Sequence, residues 1–182
     1  MVVLSVDHGT RSGYSIFRDD KYIESGIVTL DSVTSLRQAQ MEFYQIFSFY
    51  EPNVVVVEKV NVAGSKFGGT NIVKLAQLQG IVLLLADMFK CKVVEVNPMS
   101  MKKVITGNGK AEKREVAECV AKRWSLNPNH ICVPVYYKKK DGVKTYLADE
   151  SDAIALGTYY LEECKKSAWF VKKCWQAFHN LL

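Results

Sequence analysis

Two aspartates three residues apart, Asp149 and Asp152, stand at the start of a predicted amphipathic helix within residues 146–156. Side chains at that separation share one face of a helix, so both carboxylates can point at the same place. One interpretation is helix capping, because acidic residues in a first turn complement the helix dipole and its unpaired N–H groups. The other is cation binding, since carboxylates at a buried helix end need partners or a metal ion.

Two further carboxylates end predicted strands. Asp7 follows the apolar run at 2–6, and Glu58 follows four consecutive valines at 54–57. Such runs are typical of strands that are buried on both faces of a sheet. If the two strands are parallel neighbours, both carboxylates lie at the sheet edge where α/β proteins bind ligands. A helix packed on that sheet can bring Asp149 and Asp152 to the same place.

Four converging carboxylates repel one another and raise each other's pKa unless cations bind among them. An all-oxygen ligand set without histidine or cysteine suits Mg²⁺, with Mn²⁺ as a substitute. Two such ions about 4 Å apart can direct water onto a phosphodiester, one activating the water and the other stabilising the leaving 3′ oxygen. The alternative is that each acid is only a local cap or turn residue.

The elements that position these acids follow the order β-β-β-α-β-α-β-α-α, which predicts an α/β fold with a five-stranded mixed sheet flanked by helices. Predicted strands cover 2–6, 13–17, 22–30, 54–57 and 92–96, and predicted helices cover 36–50, 71–89, a short stretch after Asn97-Pro98, 110–124 and the segment from 149. The remaining assignments are a cap at Asp31-Ser32, a surface loop at 61–70, an inserted hairpin at 131–146 with a turn at Asp141-Gly142, and a helical aromatic tail at 165–182.

The composition suits a single domain over residues 1–182, with 48% hydrophobic and 24% charged residues. No apolar run is long enough to cross a bilayer, and Asp7 and His8 argue against a signal peptide, so we expect a cytoplasmic protein with no membrane partner. The five cysteines form no CxxC pair, which argues against structural zinc. The net charge of +5 is concentrated in lysine-rich clusters of the C-terminal half, which form either solvated helix faces or a phosphate-binding surface.

Four segments resemble, in order along the chain, the motifs of the RuvC-type Holliday-junction resolvases. They are residues 7–14 (DHGTRSGY), 57–60 (VEKV), 106–113 (TGNGKAEK) and 148–155 (ADESDAIA). Residues 71–86 also resemble the dimer-forming helix of that family. The resemblance implies a ribonuclease-H-like fold, a homodimer, and Mg²⁺-dependent nicking of two strands of a four-way DNA junction.

The resemblance also implies roles for individual residues. The four metal-binding carboxylates of the family, which hold two ions per active site, match Asp7, Glu58, Asp149 and Asp152. Its two functional lysines match Lys102 and Lys113, and a lysine at such a site can stabilise the growing charge on the scissile phosphate. Each lysine can equally be an ordinary helix-face residue. The DNA-binding set that we predict is Arg11, Lys59, Asn61, Lys66, Phe67, Lys110, Lys113, Arg114, Lys138, Lys139 and Lys140.

Three departures from the family pattern point towards a phage or viral relative. Asn61 stands where the bacterial cellular enzymes have an aromatic residue that stacks on a junction base, although Phe67 can supply stacking from the same loop. His8 replaces a common proline and either approaches the metal site, supports it from behind, or lies exposed. The hairpin insertion at 131–146 adds tyrosines and lysines before the final acidic pair.

Three other functions are compatible with the sequence. A broader nickase that acts on flaps, forks and replication intermediates would use the same site chemistry. An actin-like or sugar-kinase-like ATPase half shares the sheet order and a similar loop at 7–10, but a complete ATPase needs a second such domain. In a non-catalytic junction-binding protein the acids are structural, so Asp7→Asn would change no activity.

Overall fold

The structure is a computed structural model that describes residues 1–9, 11–30, 35–59, 69–136 and 144–164. In chain order the elements are β1 (Val2–Asp7), β2 (Arg11–Arg18), β3 (Lys21–Thr29), α1 (Leu36–Tyr50), β4 (Val54–Glu58), α2 (Gly69–Met88), β5 (Lys92–Val96), α3 (Pro98–Thr106), α4 (Lys113–Trp124), α5 (Pro128–Ile131), β6 (Val133–Tyr136), β7 (Lys144–Leu147) and α6 (Asp149–Tyr159). Helix α6 continues into a π-helical turn, Tyr160–Cys164. No helix in the described ranges has the length and apolar character needed to span a membrane.

The central sheet has five strands in the order β3-β2-β1-β4-β5. Strands β1, β2 and β3 form an antiparallel meander, joined at one end by a tight turn in which Asp19 and Asp20 both have positive φ. Strands β4 and β5 then extend the sheet in parallel with β1. The predicted mixed five-stranded sheet with flanking helices is therefore confirmed.

The four-valine run of β4 explains why the sheet is covered on both faces. Val54 and Val56 point into the core beneath α3, α4 and α6, whereas Val55 and Val57 point into the core beneath α1 and α2. All four side chains are at most 4% exposed. Alternation along a strand sends successive side chains to opposite faces, so a continuous apolar run needs helices on both sides.

Helix α6 lies close to β1 and β2 because small residues face it. The hydroxyl oxygens of Ser5 and Ser15 lie 2.6 Å apart and contact the carbonyl oxygen of Ala153 at 2.8 and 3.1 Å. A Cβ added at Gly13 would lie 1.8 Å from the carbonyl oxygen of Asp149. The bare backbone of Gly13 therefore allows the first turn of α6 to rest directly on β2.

Replacement of Gly13 with alanine should destabilise the protein by about 3 kcal/mol, because the obstacle is the α6 backbone and the helix must move to admit a methyl group. Urea unfolding would measure this loss. Gly26→Ala is a matched control on the neighbouring strand, where the added Cβ would meet the end of the Tyr14 side chain at 2.8 Å. That side chain can rotate away, so the control should lose much less stability. Equal losses of stability in the two variants would contradict the close packing of α6 against Gly13.

The start of helix α4 differs from the predicted one, whereas α1 begins at Leu36 as predicted. Helix α4 begins at Lys113 and not at residue 110, because Glu112 is extended (φ −75°, ψ 160°) and its N–H donates to the Glu115 carboxylate at 2.7 Å. Lys110 consequently lies in the preceding turn. Ser35 occupies the N-cap position of α1, and the predicted cap at residues 31–32 lies outside the described residues.

The predicted hairpin is present as the antiparallel pair β6 and β7, in register from Val133↔Leu147 to Tyr136↔Lys144. The sequence interpretation missed the short helix α5, which takes up Ile131 and is capped by the side chain of Asn127. The hairpin turn at Asp141-Gly142, most of the loop at 61–70 and the tail at 165–182 lie outside the described residues.

Candidate active site

Asp7 and Glu58 lie side by side at the edge of the sheet. Strands β1 and β4 pair in parallel from Val3↔Val54 to Val6↔Val57, and the next residue of each strand is one of the two acids. Both side chains are partly buried. The expectation that the two strands are parallel neighbours is confirmed, and it places two carboxylates at the end of the sheet that α/β folds use for ligands.

The first turn of α6 adds Asp149 and Asp152 to this edge. Ala148 occupies the N-cap position and makes no side-chain cap, while both carboxylates pair with cations from other elements. Oδ2 of Asp152 lies 3.2 Å from Nζ of Lys113, and Oδ2 of Asp149 lies 3.3 Å from Nε of Arg11. Helix capping is therefore not what engages these two carboxylates.

The pKa values of three acids reflect this convergence. Burial raises the pKa of Asp7 well above its ordinary value, and the charges of Asp152 and Glu58 raise it further. Burial and the charge of Asp152 also raise the pKa of Glu58. Burial raises the pKa of Asp152 in spite of the opposing Lys113 ammonium. The acids thus interact across one site and are under-neutralised there.

The two predicted functional lysines approach this site differently. Burial lowers the pKa of Lys113, but the carboxylates of Asp152 and Asp7 outweigh burial and raise it above its ordinary value, so the ammonium is charged at neutral pH. Lys102 donates from Nζ to the carbonyl oxygen of Ala111 at 2.8 Å and so ties α3 to the turn before α4. Lys113 can change its partner during a reaction, whereas Lys102 is anchored.

In metal-free buffer, Glu58→Gln should become more stable relative to the wild type as the pH rises above the ordinary carboxyl pKa of 4.5. A carboxyl whose folded pKa is raised favours folding when protonated, so its contribution is complete below the unfolded pKa and declines as the pH rises to the folded pKa. Each unit of difference corresponds to about 1.4 kcal/mol. Urea unfolding between pH 4 and pH 8 would measure the difference; Glu42→Gln, exposed on α1, should follow the wild-type curve. A constant difference for Glu58→Gln would contradict the raised pKa.

The donor set fits a hard divalent cation in its chemistry, because it consists of carboxylate oxygens only. Within the described parts of the chain, however, no three acidic, histidine or cysteine side chains lie close enough to hold a metal ion. Lys113 and Arg11 engage the two carboxylates of α6 instead. The carboxylates that could hold a metal are therefore present, and two of the four already pair with a cation of the protein.

Two further polar residues lie near the site, and the sequence interpretation missed one of them, Gln79. The side-chain amide of Gln79 on α2 is 7% exposed and donates to the carbonyl oxygen of Glu58 and the Glu95 carboxylate, each at 3.4 Å. A single polar side chain within the apolar run at 78–86 was the available signal. His8 is only 9% exposed, so the exposed alternative is wrong. Its Nδ1 has no hydrogen-bond partner within the described ranges, and burial lowers its pKa to about 4.

The predicted DNA-binding residues fall into four groups. Arg11 and Lys113 lie at the acidic site, and Lys59 and Lys110 are exposed. Arg114 is held on the surface by the Glu118 carboxylate at 2.8 Å and the Asn129 side-chain oxygen at 2.9 Å. The rest lie outside the described residues: Asn61, Lys66, Phe67, Lys138, Lys139 and Lys140.

Comparison with known sequences identifies the same family over most of the chain. The family model "Crossover junction endodeoxyribonuclease RuvC" matches residues 3–133. The RuvC protein of Neorickettsia sennetsu is 33% identical over 137 residues, which cover 70% of this chain and 81% of that protein. The RuvC protein of Bdellovibrio bacteriovorus is 28% identical over 178 residues, 92% of this chain and 94% of that protein.

Solved structures show the same fold. RuvC of Thermus thermophilus, in complex with a Holliday junction substrate, has a TM-score of 0.70 at 19% identity and covers 92% of this chain and 96% of that one. The Fowlpox virus resolvase, in complex with Holliday junction DNA, has a TM-score of 0.54 at 19% identity and covers 90% and 99%. With the family model matching well over half of its residues, this chain belongs to the RuvC family of crossover junction endodeoxyribonucleases.

Proposed function

We propose that this protein is a metal-dependent nuclease that resolves four-way DNA junctions by paired nicks, acting as a homodimer. RuvC enzymes are metal-dependent nucleases that generally use Mg²⁺. The observation that carries the proposal for this chain is the meeting of Asp7, Glu58 and the first turn of α6 around the Lys113 ammonium. Acids that are buried and under-neutralised at a ligand-binding edge are suited to hold cations.

The ligands in this proposal are Asp7, Glu58, Asp149 and Asp152. Two bound Mg²⁺ ions, for which Mn²⁺ can substitute, would supply an activated water and stabilise the leaving 3′ oxygen. The pairing of β1 with β4 fixes the positions of Asp7 and Glu58. The close packing of α6 against Gly13 fixes the positions of Asp149 and Asp152. The protein's part is therefore to hold four carboxylates in a geometry that neither element provides alone.

Lys113 is suited to the reacting phosphate. Its side chain is 51% exposed, so its ammonium can reach a bound DNA strand, and its raised pKa keeps it charged. With Asp152 engaged as a metal ligand, Lys113 would be free to pair with a phosphate oxygen. There it would stabilise the negative charge that grows as water attacks. From its anchored position, Lys102 opposes the rise that burial causes in the pKa values of Glu58 and Asp152.

The wider DNA contacts that we propose come from cations around the acidic edge. Lys59 and Lys110 present their charges to solvent, and Arg11 is partly exposed beside Asp149. Each phosphate contact would add to the salt dependence of binding. Arg114 can contact DNA only if its ion pair with Glu118 breaks and a phosphate replaces the carboxylate. Stacking from Phe67 and charge from the hairpin lysines remain proposals that rest on the sequence.

A dimer through α2 is supported by an apolar stripe on its outer face. Val73, Leu84 and Met88 are 55–57% exposed, and Gly80 between them has open space beyond its Cα. The spacing of 7, 4 and 4 residues keeps them on one side of the helix. A second copy packed there by two-fold symmetry would place two active sites on opposite DNA strands.

The experiment that tests this function compares labelled four-way, flap and linear DNA with purified protein, with and without Mg²⁺. Symmetric paired nicks in the four-way junction alone, and only with metal, support junction resolution. Comparable cutting of flaps and forks favours the broader branched-DNA nickase. No cutting of any DNA in Mg²⁺ or Mn²⁺, with junction binding retained, would reject the catalytic proposal.

A further inference from the structure

Arg11 is placed where it can compete with a metal ion. Its Nε donates to Oδ2 of Asp149 at 3.3 Å, across the interface between β2 and the first turn of α6. The carboxylate is only 24% exposed, so the guanidinium takes up part of its small accessible surface. A cation that binds Asp149 through this oxygen therefore competes with Arg11 for it.

The charges at the site strengthen this competition. The Arg11–Asp149 and Lys113–Asp152 pairs engage both carboxylates that α6 contributes. A guanidinium next to a divalent ion also repels it, which adds to the cost of binding.

We propose that Arg11 is a positioning residue that keeps Asp149 occupied until DNA arrives, and that it then exchanges the carboxylate for a phosphate of the bound strand. This rests on the proposed metal-dependent function and adds a feature to it. The Arg11 side chain is 38% exposed, so a backbone phosphate can reach it without rearrangement of the fold. Phosphate accepts paired N–H donors from arginine as readily as carboxylate does.

The exchange makes metal and DNA binding cooperative. When a phosphate pairs with Arg11, Asp149 becomes available to bind a metal. When a metal binds Asp149, Arg11 becomes available to pair with a phosphate. The coupling must be equal in both directions because it is a difference of binding free energies. In the DNA-free protein, Arg11 therefore lowers the affinity for metal.

The first measurement is Mn²⁺ binding to the DNA-free protein, followed by the loss of the free-ion electron paramagnetic resonance signal. Arg11→Gln should bind Mn²⁺ about fivefold more tightly than the wild type, because one ion pair and one repulsion are removed. Arg11→Lys keeps the charge and should stay near the wild-type affinity. Arg123→Gln is the matched control, since it removes an equal charge paired with Glu162 at 2.6 Å, about 15 Å along α4 from Lys113.

The second measurement is junction binding in EDTA by fluorescence anisotropy. Arg11→Gln should lose affinity severalfold more than Arg123→Gln, and its salt dependence should fall by about one phosphate contact. Unchanged or weaker Mn²⁺ binding by Arg11→Gln, or junction affinity equal to that of Arg123→Gln, overturns the exchange while leaving the nuclease proposal intact. Asp7→Asn separates the two ideas: if it binds Mn²⁺ as the wild type does, the metal site itself is misassigned.

Discussion

Asp7→Asn should abolish junction cleavage, with a loss of at least about a thousandfold, while junction binding is retained or tightened. Asparagine has the shape of the aspartate but lacks its charge, so the fold is kept and a divalent cation loses one of its ligands. Binding survives because the DNA contacts come from other residues. It tightens because one negative charge near the phosphates is removed.

The same substitution should stabilise the metal-free protein at neutral pH. Burial and the charges of Asp152 and Glu58 raise the pKa of Asp7 above its ordinary value, so the ionised form of Asp7 opposes folding. A neutral amide relieves that repulsion, and we expect a gain of about 1–2 kcal/mol in urea unfolding. Loss of activity together with a gain of stability is the signature of a functional charge and not of a structural one.

Asp20→Asn is the matched control for both measurements, because it makes the same change on the exposed turn between β2 and β3. Single-turnover cleavage of a labelled four-way junction should be unchanged in this variant. If Asp7→Asn still cut the junction at a comparable rate in Mg²⁺, Asp7 would not be a metal ligand and the catalytic assignment would have to be rebuilt.

The acidic site could be predicted from the sequence because its scaffold is simple. A run of valines ending in Glu58 predicts a central strand, and the β-branched run ending in Asp7 predicts its neighbour; buried parallel strands of that kind carry residues at their ends to one edge. The order of the motifs then identified the family, and the family match also removes the ATPase and non-catalytic alternatives. The phage or viral source and the single-domain assignment stay predictions.

The partners of the acids could not be predicted in the same way. Arg11 and Asp149 are 138 residues apart in the chain and meet only because Gly13 lets α6 descend onto β2. Sequence spacing carries no information about that contact, so Arg11 was interpreted as a DNA ligand alone. The start of α4 was missed for a local reason: the Glu112–Glu115 hydrogen bond delays the helix past Lys110, although lysine is a good helix former.

Leu84→Glu should convert the protein to a monomer and abolish paired nicking. Leu84 lies on the exposed apolar stripe of α2, so the monomer tolerates the change within about 0.5 kcal/mol. In a symmetric dimer the glutamate appears in both copies, and burying two like charges at one interface should weaken association by at least about a hundredfold. Analytical ultracentrifugation would measure the assembly, and a doubly labelled junction would reveal whether the two cuts remain coupled.

Ile23→Glu is the control for surface hydrophobicity. Ile23 is 46% exposed and lies on β3, an edge strand of the sheet, and not on α2. It should leave both assembly and paired cutting unchanged. A Leu84→Glu protein that remained dimeric would place the interface on another surface. One active site cannot hold two opposed strands at once, so paired nicking is expected to need the dimer. A monomer that still made symmetric paired nicks would contradict this requirement.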